Sequence, residues 1–386
     1  MAAPRIYLDY NAGAPLRPEV RAAMIDALAA TGNASSVHGE GRAARARIET
    51  ARRQVAALVG ADPARVIFTS GGTEANVTAL SPRMRVGAGE VAIDVVLVGA
   101  TEHPSVLAGG RFGAGRIRQV AVDGEGRLDL DDLRGQLEAV ASEGKRALVS
   151  VMLANNETGT IQPVAEIAAI ARPFGALVHT DAIQAAGRIA VDVAALGVDI
   201  LTLSAHKLGG PQGAGAIVLG GDLVAPLPLL VGGGQEKYSR AGTQNVAAIV
   251  GFGVAADRAR ADLDRQAEWT LWRDQIAAEV APAVLLSGGA ERLPQTLSLG
   301  VQGLSAETLV IALDLEGVAV SAGSACSSGK VGVSHVMKAM KVPEAQAKSA
   351  IRVSFGWETA ETDIRRFTEV WGRVMRRLAP GEIRAA

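Results

Sequence analysis

The chain has 386 residues, 48 % of them hydrophobic and 20 % charged, and 39 basic against 40 acidic side chains leave a formal net charge of -1. That composition excludes a disordered chain and supports a large buried core, and the length suits one large domain plus a smaller one. No basic run, acidic tail, signal-peptide pattern or apolar stretch of ~20 residues occurs, so nucleic acid and membranes are not expected partners. The single cysteine, Cys326, fits a reducing cytoplasm.

In chain order, Pro18–Ala30 and Arg42–Val59 carry apolar residues at helical spacing, the second with Ile48, Val55, Leu58 and Val59 on or near one face. Short apolar or β-branched runs then read as strands: Val66–Thr69, Val95–Val98, Ala147–Leu153, Leu177–Thr180, Ile200–Ser204 and Ala216–Leu219. Most are separated by helix-length segments such as Val164–Ala171, the pattern of a mainly parallel, doubly wound α/β sheet. A long helix is expected from about Ala247 to Ala281, bridging to a second unit. There the order is strand Thr296–Val301, helix Ala306–Leu315, strand Val318–Ser321, a Gly/Ser-rich loop, strand Ile351–Phe355 and a final helix.

Three strand-end motifs suggest chemistry. Ser204-Ala205-His206-Lys207 follows an apolar strand and precedes Gly209-Gly210-Pro211. A lysine fixed there can form an imine with an aldehyde cofactor, although an arbitrary lysine is more often a solvated loop residue. In His179-Thr180-Asp181-Ala182-Ile183-Gln184 the carboxylate can pair with a protonated pyridine nitrogen and Gln184 can reach a ring hydroxyl; taken alone, Asp181 reads more readily as a helix N-cap. The turn Thr69-Ser70-Gly71-Gly72-Thr73-Glu74-Ala75-Asn76 can cradle a phosphate at a helix N-terminus. Gly-rich turns are common, and it is the combination of the three that is informative.

With these stretches in place, the chain resembles the cysteine desulfurases that supply sulfur for iron–sulfur clusters and thio-cofactors, within the class-V aminotransferase family. The likeness runs from Tyr7-Leu8-Asp9-Tyr10-Asn11 to Arg352. It includes Asn33-Ala34-Ser35-Ser36-Val37-His38, Thr101-Glu102-His103, Asn155-Asn156-Glu157-Thr158-Gly159, Arg240-Ala241-Gly242-Thr243-Gln244-Asn245 and Ser321-Ala322-Gly323-Ser324-Ala325-Cys326. It departs at Ala12-Gly13-Ala14, where Ala-Thr-Thr is common, and at Val77, where a second Asn is usual.

The resemblance implies the fold type I architecture of pyridoxal-phosphate enzymes. A large domain over 15–258 would hold a mainly parallel sheet between helices. Segments 1–14 and 259–386 would form a small α/β domain carrying the cysteine loop. It implies that Lys207 holds pyridoxal 5'-phosphate, that Asp181 pairs with the ring nitrogen, and that His103 stacks on the ring and acts in proton transfer. Gly72, Thr73, Ser204 and His206 would hold the phosphate, with Thr243 arriving from the second subunit of a homodimer. Asn156 and Gln184 would lie near the ring hydroxyl, and Arg352, with Asn156 and Asn33, would take the substrate. Taken alone, His103 would read as a loop histidine and Arg352 as a surface arginine. Cys326, in a small-residue loop, would receive sulfur as a persulfide while L-cysteine becomes L-alanine, then pass it to a scaffold or carrier protein. A selenocysteine lyase or another enzyme of the same fold is the alternative, since it would share the cofactor site without needing Cys326.

Overall fold

Segments of four or five residues, mostly apolar except for the edge strand Ile117–Val120, which was not expected, assemble into one seven-stranded sheet in the computed structural model, which describes residues 5–323 and 333–379. The strands are β1 (Val66–Thr69), β2 (Val95–Gly99), β3 (Ile117–Val120), β4 (Ala147–Ser150), β5 (Leu177–Asp181), β6 (Ile200–Ser204) and β7 (Gly215–Leu219), in the spatial order 3-2-4-5-6-7-1. The pairs β2–β3, β2–β4, β4–β5 and β5–β6 are parallel; β7 runs antiparallel to both β6 and β1. The reversal has a simple cause. The connection 205–214 is shorter than the dozen or more residues that a parallel crossover takes, and Gly209 and Gly213, at φ +79° and +81°, supply left-handed backbone for the return.

Both faces of this sheet are covered, which explains the unbroken apolar runs. Along β2, Val95 and Leu97 enter one core with Ile48 and Val55 of α2 (Gly39–Leu58) and Phe252 of α4 (Val246–Ala261; α1 is Pro18–Ala29 and α3 Gly72–Ala79). Val96 and Val98 enter the opposite core with Ala75 and Ala79 of α3. A third core gathers Trp272 of α5 (Gln266–Glu279), Leu309 of α6 (Ala306–Leu315) and Phe367 and Trp371 of α7 (Glu361–Leu378). It packs on an antiparallel sheet of β8 (Val284–Leu286), β9 (Thr296–Gly300), β11 (Ile351–Ser354) and β10 (Ser321–Ala322), paired in that order. The N-terminal strand feeds this unit: Ile6 and Leu8 join its core, and Ile6–Tyr7 pairs with Val318–Ala319.

Two expectations change, and one small sheet was not foreseen. The helix expected over Ala247–Ala281 is two helices, α4 and α5, separated by a 3-10 turn at Asp262–Arg265. An ion pair from the largely buried Arg17 to Asp262 holds the turn, and so does Arg265, which lies over Trp269 and Trp272 and donates to the Trp357 carbonyl at 2.9 Å. Helix propensity carries no record of such tertiary anchors. The strand expected over Val318–Ser321 is two short pieces, Val318–Ala319 and Ser321–Ala322, that pair with different partners. A small antiparallel sheet of Arg83–Val86, Gly89–Ala92 and Val224–Pro226 was not foreshadowed, its segments being only three or four residues long and the first two interrupted by polar residues or glycine. Among the described residues no helix is long and apolar enough to cross a membrane.

Candidate active site

β1, β2, β4, β5 and β6 all point their carboxyl ends at one edge of the sheet, where open α/β sheets receive ligands. A cavity of about 140 Å³ opens there, walled by Asn11, Gly72, Thr73, Asn76, His103, Ser105, Met152, Asn156, Asp181, Gln184, Ser204, His206 and Lys207 among others. The structure therefore brings together Gly72, Thr73, His103, Asn156, Asp181, Gln184, Ser204, His206 and Lys207, which the sequence scatters over 136 positions of numbering from 72 to 207.

Asp181 closes β5 and is 6 % exposed. Its Oδ1 accepts the Ile183 N–H at 2.9 Å and its Oδ2 accepts Asn76 Nδ2 at 2.7 Å. Burial nevertheless raises its carboxyl above the usual range, against those two hydrogen bonds and the charges of His103 and Lys207. A carboxylate offers about four acceptor sites, so an additional cationic donor would relieve it. Lys207 leaves β6 through a 3-10 turn, and its Nζ donates to the carbonyls of Asn11 and Ala12 at 2.6 and 2.8 Å. Buried Arg188 braces the same corner, donating from Nη1 to the Gln184 carbonyl at 2.8 Å and from Nη2 to that of Lys207 at 3.3 Å. Gln184 in turn donates to the Asn11 carbonyl at 3.0 Å.

The opposite end of the cavity suits an anion. Gly72 opens α3 and lines the cavity, and a Cβ there would press on the Ile183 side-chain tip and on Ser204 Cβ, so glycine keeps the helix N-terminus close-packed against the cavity. His206 is pushed down to about 4 by burial and by the nearby charges of Lys207 and Arg188, and its buried Nε2 has no hydrogen-bond partner among the described residues. A phosphate oxygen would satisfy that atom. The acidic floor, the lysine and the orphaned imidazole nitrogen together fit a phosphorylated pyridine aldehyde.

Arg352 is not on the cavity wall. It lies behind Asn156, 2 % exposed, donating to the Asn156 carbonyl at 3.0 Å and to Asp9 Oδ1 at 2.7 Å. Asn33 and Thr243 are exposed and lie outside this cavity within the chain. Thr243 follows Arg240, whose guanidinium pairs with Glu74 of α3 at 3.0 Å. Cys326 lies outside the described residues.

Sequence reasoning missed Asn11, Asn76, Ser105, Arg188 and Thr202 as members of this site. A period-2 signal was available for part of it. Leu148 and Ser150 share a face of the sheet, as do Leu177, His179 and Asp181, and Ile200, Thr202 and Ser204. Along each strand, apolar residues give way to polar ones at the carboxyl end.

The chain belongs to the aminotransferase class-V family, whose model matches residues 6–367. Within it, the likeness is to cysteine desulfurases. The one from Cereibacter sphaeroides is 41 % identical over 376 residues, 95 % of this chain and 94 % of that protein. The cysteine desulfurase IscS from Dictyoglomus turgidum is 40 % identical, over 97 % of this chain and 95 % of its own length. The crystal structure of a NifS-like protein from Rickettsia africae superposes with a TM-score of 0.85 at 32 % identity, covering 96 % of this chain and 99 % of that one. Enzymes of this family depend on pyridoxal phosphate, and the expected fold and family both hold.

Proposed function

We propose that the chain holds pyridoxal phosphate in this cavity and converts L-cysteine to L-alanine, its sulfur passing to Cys326. The observation that carries the reading is the meeting of Lys207 and Asp181 in one cavity, in a chain about 40 % identical to cysteine desulfurases over nearly its full length. Lys207 is the attachment point, and Asp181 faces the ring nitrogen. Asn156 and Gln184 lie toward the ring hydroxyl, while Gly72, Thr73, Ser204 and His206 take the phosphate. When bound, the cofactor supplies an electron sink for the pair left at the substrate Cα.

The chain's own groups do the rest. Arg352 is assigned to the substrate carboxylate together with Asn156 and Asn33; its guanidinium, held behind Asn156 by the Asn156 carbonyl and Asp9, would exchange those contacts for the carboxylate. Lys207 Nζ removes the Cα proton and returns a proton to the three-carbon product. The Cys326 thiolate attacks the substrate sulfur. A sulfur–sulfur bond forms as the carbon–sulfur bond breaks, the bonding pair stays on carbon, and protonation there gives the alanine methyl group. No external oxidant is consumed. The persulfide then passes to an acceptor protein serving cluster or thio-cofactor synthesis, in the cytoplasm.

The working unit is a homodimer in which Thr243 reaches the partner's phosphate site. Supporting this, Leu229, Leu230, Val231 and Tyr238 are exposed on the segment that precedes it. The large domain spans 15–258, with 1–14 and 259–386 forming the small one, a division that follows the separate core around Trp371. Incubating the cofactor-loaded protein with no more than one equivalent of L-cysteine, so that each site turns over once, should yield alanine and protein-bound sulfane sulfur in equal amounts. Alanine formed only from L-selenocysteine would overturn the reading.

A further inference from the structure

One wall of the cavity carries a run of hydrogen bonds whose donors and acceptors admit only one direction. Both amide protons of Asn76 are committed: Nδ2 donates to Asp181 Oδ2 at 2.7 Å and to Ser105 Oγ at 2.9 Å. Its Oδ1 accepts the Thr202 hydroxyl proton at 2.6 Å. Thr202 has no second proton, so His179 Nε2, 3.1 Å away, donates to it, and His179 Nδ1 accepts from Ser150 Oγ at 2.8 Å. Burial pushes His179 down to about 3, so it serves this run as a neutral ring.

At the other end, Ser105 Oγ accepts from Asn76 and has its own proton to give. It lies 2.8 Å from His103 Nδ1, and the Ser105 backbone N–H points at the same nitrogen from 3.2 Å. A backbone N–H can only donate. His103 Nδ1 therefore receives two donors, and the proton of the neutral ring sits on Nε2.

We infer that Ser105, oriented by Asn76, is a positioning residue that locks His103 as a neutral imidazole presenting Nε2–H to the cavity. His103 then serves the reaction as a fixed hydrogen-bond donor to developing negative charge and not as a proton carrier. This differs from the proton-transfer role that the resemblance implies, and it rests on the proposed desulfuration only for what the donor faces. Neutral imidazoles do act as electrophilic donors elsewhere.

The surroundings agree. Burial lowers the His103 pKa, and Lys207 and His335 oppose a positive charge there; only Asp181 favours one. His335 sits at the start of a short helix, with Nε2 2.9 Å from the Glu102 carbonyl.

The test is nitrogen NMR of the holoenzyme labelled at its five histidines, with His103 assigned by its loss in His103→Gln. Wild type should show a pyridine-like Nδ1 and a pyrrole-like Nε2 from about pH 6 to 8.5, bracketing the ordinary histidine pKa near 6.5. An unprotonated Nε2 or an imidazolium at pH 7 overturns the assignment. Ser105→Ala, left with only the longer N–H contact, should show mixed tautomers and a new limb in the pH profile of turnover. Ser105→Thr, which keeps the hydroxyl, should restore both. Unmoved shifts and profile in Ser105→Ala would overturn the role of Ser105. His103→Gln, whose amide keeps an N–H donor, should turn over at least about ten times faster than His103→Ala, roughly 1.4 kcal/mol in barrier; equal losses overturn the donor role. Failure to make alanine at all would instead defeat the desulfuration reading and leave the tautomer measurement standing.

Discussion

Replacing Asp181 with asparagine separates what the fold needs from what the cofactor needs. The wild-type carboxylate accepts from Asn76 at 2.7 Å and from Ile183 at 2.9 Å. The two donors meet different carboxylate oxygens, and in asparagine one of those positions is an NH2, so one donor there faces another donor. Asn76 cannot turn over to help, because its Oδ1 already takes the Thr202 proton. One buried donor is left unmatched, at a cost of about 1–3 kcal/mol. In the cofactor-free protein this is offset by removal of a carboxylate whose ionised form burial disfavours. The apo melting temperature should therefore stay within a few degrees of wild type. With cofactor present no offset remains. The charge-assisted hydrogen bond to the ring nitrogen, about 1.5–3 kcal/mol, is lost, and cofactor affinity should fall roughly 10- to 150-fold. Titrating apo protein with pyridoxal phosphate by visible absorbance reads the affinity, and alanine release reads turnover. Asp181→Asn binding cofactor within twofold of wild type, at undiminished turnover, would refute the reasoning.

Lys207→Ala should abolish alanine production, and borohydride reduction of wild type followed by peptide mapping should place the cofactor on Lys207. Label on Lys237 or Lys330 would relocate the site. Cys326→Ala should keep the cofactor absorbance and still respond spectrally to cysteine, while alanine and bound persulfide fall to near background; wild-type turnover releasing free sulfide would make Cys326 a spectator. Heterodimers pairing a Lys207→Ala chain with a Thr243→Ala chain should show whether Thr243 acts across the interface: only the site with both residues intact should keep full cofactor affinity. Burial raises the Glu157 carboxyl from 4.5 to about 7 despite the Ser334 hydroxyl and Arg352. The fold thus prefers its protonated form, and that contribution is complete below about pH 4.5 and lost as pH rises through about 7. Glu157→Gln, which can still accept from Ser334, should lack this slope, so the two unfolding free-energy curves should diverge by on the order of 3 kcal/mol between pH 4 and 8. Parallel curves would contradict it.

Much of the scaffold is legible from residue order, because both faces of the main sheet are covered and its strands are necessarily apolar runs. Ile200–Ser204 and Leu177–Asp181 stand out for that reason, and the motif residues Asp181 and Lys207 inherit their placement from strand ends. The segments that failed are those whose structure is decided elsewhere. The turn at Asp262–Arg265 depends on Arg17, some 245 positions away in sequence, and on a tryptophan pair. Arg352 shows the same limit in the site: its sequence neighbours mark a strand, but nothing local reveals Asp9 as its partner. Asn76 and Ser105 were hidden for another reason. Asn76 sits midway along α3 and Ser105 in the first turn of the short helix Pro104–Leu107, and only the juxtaposition of the two helices makes them one unit.

That unit also explains why polar residues can replace apolar ones at the carboxyl ends of β4, β5 and β6 without loosening the sheet. An unsatisfied buried hydroxyl or amide costs about 1–3 kcal/mol, so Ser150, His179, Thr202, Asn76 and Ser105 would together be prohibitive if left unpaired. Arranged head to tail, each donates into the next acceptor, and the run ends on two residues of the cavity wall: Asp181 at its carboxylate and His103 at the Nδ1 turned away from the cavity. The direction is set at the Asp181 end, because a carboxylate fixes which way the Asn76 amide must face. Asn76 then dictates the proton of Thr202 on one side and of Ser105 on the other. On the proposed reading, the carboxylate that would meet the ring nitrogen also orients, through Asn76 and Ser105, the hydrogen bonding at His103 Nδ1, and the packing of α3 against the sheet would link the two.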